Sequence, residues 1–156
     1  MFYHTHQAAW DVEKLIFSFG TNDVKYSRRG VGHLRRYITE VITDAKNMFP
    51  DAIILVQCCL PIRELYWYTI PNVLNFNKML SQICSLFNCI YIDCFKHFLT
   101  EDGRAQNPNL FYDWLHLNDV GLGILCYWLK FIVSQSSFNY VLNHIPYSYA
   151  RNRAQF

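Results

Sequence analysis

The chain has 156 residues, 52% of them apolar and 17% aromatic, with a formal net charge of +2. That is one domain's worth of chain with ample core-forming side chains, which excludes a disordered or low-complexity polypeptide. A nearly neutral balance gives no electrostatic footprint for nucleic acid, so nucleic-acid binding is not indicated.

The opening, Met1 to Gln7, is polar and carries His4 and His6, which does not resemble a secretory signal. A His-x-His pair needs at least one more ligand to hold a metal. None is evident nearby, so no metal site is expected. Ala8 to Lys14 reads as the end of a helix feeding a first strand, Leu15 to Phe19. That strand is an uncharged run ending abruptly in Gly20-Thr21-Asn22-Asp23. A short apolar run closed by a turn signal suits a strand buried on both faces of a parallel sheet. Gly20 lets the chain turn sharply as it leaves the sheet, and Asn22 and Asp23 suit a loop. In open α/β sheets ligands bind just beyond the carboxyl ends of the strands, which is where Asn22 falls.

Tyr26 to Gly32 reads as a connection. His33 to Phe49 has helical periodicity, with Leu34, Ile38, Val41, Ala45 and Met48 on one stripe and Arg36, Glu40 and Asp44 opposite. His33 is expected at the start of that helix. Pro50 stops it. Ala52 to Cys58 is a second strand, followed by a loop whose Tyr66, Trp67 and Tyr68 either line an acyl pocket or pack on the sheet. Pro71 opens a helix to about Phe87 with Val73, Phe76, Leu80 and Ile83 facing inward. Cys89 to Cys94 is the third strand, with Asp93 at its end.

From Lys96 to Phe111 the chain is irregular, with Asp102-Gly103 and Asn107-Pro108 as turn signals. His97 is expected to pack under that segment. Asn118 is a good N-cap for a last helix to about Val133, and Gly121 and Gly123 in its first turns suggest close approach of another backbone. Val120 to Val133, the most apolar segment, is shorter than the ~18 residues a membrane span needs. Residues 1–135 therefore read as one α/β domain and 136–156 as a C-terminal extension. Phe138 to Ile145 reads as packing back, and Arg151 and Arg153 as a solvated end.

Six cysteines sit inside strands and helices without a close Cys-x2-Cys pair. They read as small buried hydrophobes in a reducing, cytoplasmic setting.

Asp113-Trp114-Leu115-His116 puts a carboxylate three residues from an imidazole, a spacing that allows the two to meet on one side of a turn. A carboxylate there fixes the ring tautomer and stabilises the imidazolium formed during proton transfer. Asn22 offers an amide donor of the kind that stabilises an oxyanion. Trp114 reads as a packing anchor between the two motif residues.

Gly20-Thr21-Asn22-Asp23 after a strand, and Asp113-Trp114-Leu115-His116 before a last helix, together resemble the SGNH (GDSL-type) hydrolases and esterases. The resemblance covers roughly Ile16 to Leu129. It implies a three-layer αβα domain with a flavodoxin-like parallel sheet, Asn22 as oxyanion donor, His116 as general base, Asp113 as its orienting partner, a small ester as substrate and no cofactor. Family members open with a strand leading to Gly-Asp-Ser, the nucleophile. Here neither Gly-Asp-Ser nor Gly-x-Ser occurs. Ser18 lies inside the first strand and Ser27 matches no family position, so no nucleophile is assigned and the chain alone should be a poor esterase. Without an opening strand, Leu15 to Phe19 becomes an exposed apolar edge. N-terminal truncation is the favoured explanation; the other is a homo-oligomer or partner chain covering that edge. The alternative function is a non-catalytic binding or assembly module of the same fold, with derivation from a mobile element a further reading.

Overall fold

A computed structural model describes residues 12–26, 32–63 and 70–135. His4, His6, the Ala8 helix, Ser27, Tyr66, Trp67, Tyr68, Arg151, Arg153 and the whole 136–156 extension lie outside the described residues.

Three strands, β1 (Lys14–Ser18), β2 (Ile53–Gln57) and β3 (Ile90–Ile92), form a parallel sheet in the order β1-β2-β3. Leu15 pairs with Ile54 and Ile16 with Leu55, while Val56 pairs with Tyr91. Because side chains alternate along a strand, this register sorts them onto two faces. Ile54 and Val56 join one core with Leu15, Phe17 and Tyr91. Leu55 and Ile92 join a second with Ile53 and Ile90.

Helices cover both faces. α2 (Gly32–Met48) and α3 (Ile70–Leu86) bury Leu34, Ile38, Val73, Phe76 and Leu80 in the first core. α4 (Asp119–Gln135) places Ile132 and Leu129 on the second. The result is the three-layer αβα arrangement expected from the strand–helix alternation. Among the described residues β1 is a sheet edge, and its Ile16 is 45% exposed on the α4 face.

Several local readings shift. Asn22 lies in a short helix, α1 (Thr21–Tyr26), not a loop, because the carbonyl of Gly20 accepts from the amide of Val24 at 2.8 Å. Lys14 belongs to the strand. On α2 the buried stripe is Leu34, Ile38, Ile42 and Ala45, whereas Val41 and Met48 are 41% and 66% exposed. Spacing alone could not separate the adjacent apolar residues Val41 and Ile42. The four inward residues of α3 are all fully buried.

At the start of α4, a Cβ on Gly121 would lie 2.9 Å from Leu117 Cδ2 and closer still to the Leu110 carbonyl oxygen, whereas nothing approaches Gly123. Only the first glycine answers to close packing. All six cysteines are free thiols, and Cys126 is exposed instead of buried. Among the described residues no helix is long and apolar enough to cross a membrane.

Candidate active site

The carboxyl end of β2 is the platform. Beyond Gln57 the chain runs through Cys58 to Arg63 without regular secondary structure and is held by α3. The buried Asn77 side chain accepts from the Cys59 amide and donates to the Cys59 carbonyl, each at 2.8 Å. This two-bonded amide satisfies both backbone groups of Cys59 past the end of the strand.

Both sequence motifs attach to this platform. On one side, β1 leads to Gly20, whose φ is +110° and whose absent Cβ would meet the buried Phe76 ring. Thr21 follows, with Oγ1 3.9 Å from Cys59 Sγ. Asn22 comes next, exposed, with no hydrogen bond from its side chain among the described residues. Its amide is therefore free to meet a ligand. Asp23 continues the helix.

On the other side, residues 112–116 form a tight loop closed by a Phe111–Leu117 bridge and by the Tyr112 amide donating to the His116 carbonyl at 2.8 Å. Buried Gln106 pins it: its Nε2 donates to the Pro61 carbonyl at 3.2 Å and to the Trp114 carbonyl at 3.1 Å. The Arg63 amide also donates to the Trp114 carbonyl, at 3.0 Å. Trp114 is partly buried against the core. Asn118 caps α4, its Oδ1 accepting from the Gly121 amide at 3.0 Å.

Within the loop, Asp113 Oδ2 lies 2.7 Å from His116 Nδ1. Asp113 Oδ1 accepts from the amides of Leu115 at 2.6 Å and His116 at 2.7 Å. The imidazole first, and then these two amides, hold the Asp113 carboxyl down at about 2. It is anionic throughout the neutral range and oriented at both oxygens. With Nδ1 taken by Asp113, the opposite ring nitrogen, Nε2, remains for proton exchange, on a side chain 70% exposed. Such a pair can accept a proton from a hydroxyl nucleophile and return it to a leaving group.

Gln106 and Asn77 are not apparent from the sequence as site residues. Asn77 leaves a signal, a polar residue one turn from Val73 on the buried face of α3; Gln106 leaves none. Asp93 instead bonds the Phe95 amide at 3.3 Å, and His97 stacks on Trp128 with centroids 4.3 Å apart.

Comparison with known proteins gives the same fold. A protein from Streptococcus pneumonia named for platelet activating factor superposes with a TM-score of 0.71 at 21% identity, covering 78% of this chain and 60% of its own. A GDSL-like lipase from Bacteroides thetaiotaomicron gives 0.63 at 16% identity, with 78% and 62% covered. An acetyl xylan esterase gives 0.64 at 18%, with 78% and 67% covered. The chain thus spans about three fifths of the first neighbours' length. Among curated proteins none matches in sequence. Residues 3–123, well over half of the chain, match the GDSL-like lipase/acylhydrolase family, and the chain belongs to that family.

Proposed function

We propose that this domain carries the proton-transfer half of an ester-hydrolase site. His116 acts as general base, Asp113 orients it, and Asn22 donates to the oxyanion of the tetrahedral intermediate. Gly20 shapes the turn that presents Asn22, and Asp23 continues the helix behind it. The substrate class is a small carboxylic ester, and the reaction proceeds through an acyl-enzyme without a cofactor. The observation that supports this most is the Asp113–His116 contact at 2.7 Å, with the carboxylate fixed by two backbone amides.

The attacking group is not assigned to any of the 156 residues. It would come from a segment seated along the outer edge of β1, in a longer form of this protein or in a partner chain. The half-exposed Ile16 on that strand supports such a neighbour. The absence of Gly-x-Ser also favours a second reading, a non-catalytic binding module of the same family.

Hydrolysis of p-nitrophenyl acetate tests the missing nucleophile. The chain should turn over the ester no faster than an equal concentration of exposed imidazole, because a site lacking its nucleophile forfeits the acyl-enzyme route. Robust turnover abolished by His116→Ala would place a nucleophile within these residues and contradict the reading.

A further inference from the structure

Two cysteine thiols touch where the platform begins. Cys58 directly follows β2 and Cys94 lies two positions past β3, its neighbour in the sheet. Their Sγ atoms are 3.6 Å apart. The Cys58 amide donates to the Ile92 carbonyl at 2.9 Å, so the backbones beside the two thiols are already tied together. Cys58 continues the Ile54–Val56 face into the first core. Cys94 leaves strand geometry at φ −110° and ψ 6°, and its side chain enters the same core. Both are buried, and neither takes part in the chemistry assigned to Asn22, Asp113 and His116.

Burial decides how such a pair reacts. A thiolate is costly away from water; burial first, and then the adjacent Cys94 thiol, pushes the Cys58 thiol well above its usual range. Attack on bulky electrophiles is suppressed accordingly. A small peroxide that reaches the pair meets a different situation. One thiol gives up its proton and its sulfur attacks a peroxide oxygen; the O–O bond breaks, leaving a sulfenic acid and one water. The second sulfur, already in contact, then attacks the sulfenic sulfur, and the S–OH bond breaks to release a second water. The two thiols lose two hydrogens in all, and one peroxide is reduced to two waters. Contact makes the second step intramolecular and faster than another encounter with peroxide, which stops oxidation short of the irreversible sulfinic stage.

We propose that Cys58 and Cys94 are a site of reversible oxidation whose disulfide ties the ends of β2 and β3 next to Cys59. The site does not depend on the hydrolase reading. The bond would join residues 36 positions apart and enclose all of α3, which restricts the unfolded chain and so favours the folded one. Hydrogen peroxide added to the Cys126→Ser chain, which lacks the exposed thiol, tests it. The product should be two hydrogens lighter, yield a linked Cys58–Cys94 peptide on digestion, and melt roughly 5 °C higher than the reduced chain. Dithiothreitol should reverse both changes. Sulfinic or sulfonic acid at either position, linkage spread among the other cysteines, two intact thiols after excess peroxide, or a linked chain that melts no higher would overturn the proposal. The linked peptide is sought equally in the parent chain, so a misfolded variant leaves the test decisive.

Discussion

Gly20→Ala is expected to destabilise the domain by about 3 kcal/mol, the combined scale of a backbone forced into a region L-residues avoid and of overpacking a filled core. The two penalties are independent. The φ of +110° belongs to glycine on backbone grounds alone. A Cβ there would also lie 2.6 Å from Phe76 Cζ, and nearer still to Cε1. Phe76 is fully buried, so its ring has nowhere to swing. The melting temperature should fall by roughly 10 °C. Gly103→Ala is the control: its φ is +72°, nothing lies within 4 Å, and only the backbone cost of about 1 kcal/mol applies. Equal effects at the two positions would show that the turn before Asn22 does not rest on Phe76.

Asn77→Leu should cost about 3 kcal/mol, because two bonds to a buried backbone are lost and the replacement offers neither donor nor acceptor. Leucine has the same branched outline, and its larger methyl groups add an overpacking cost in the same direction. The loss matters because Asn77 holds Cys59, and the Cys58–Arg63 platform carries both the Asn22 turn and the Asp113–His116 loop. Thermal unfolding followed by circular dichroism checks it. A melting temperature within about 2 °C of the parent would mean that the Cys59 groups find other partners at little cost.

The two residues differ in how far the sequence reveals them. Gly20 is conspicuous, closing an apolar run just before Thr-Asn-Asp. Asn77 is a polar residue among Val73, Phe76 and Leu80, and its purpose is visible only once the backbone past β2 is brought beside it. Gln106 is similar: it joins the Pro61 and Trp114 carbonyls, groups 45 and 8 positions away. Local pattern reaches the strands, α3 and the Asn118 cap because their causes are local. It misses half a turn on α2, where two apolar neighbours compete for one stripe. It also treats Asn22 as a loop residue, since a six-residue helix is too short to leave a periodic signature. The Asp113–His116 contact is readable because three residues separate the partners, whereas the attachment of their loop to the Cys58–Arg63 segment, through the Arg63 amide and the Trp114 carbonyl, is tertiary.

The central claim is that the Asn22 amide and the His116 ring serve one ligand. Methylphosphonate, a tetrahedral anion, resembles the intermediate that such a site would stabilise, and its titration can be followed on the Asn22 side-chain amide and the His116 ring by NMR. Both resonances should move with a single midpoint, and Asn22→Ala should weaken binding at His116 about tenfold, the scale of one hydrogen bond to a charged group. Movement of only one of them, or two separate midpoints, would contradict a shared site.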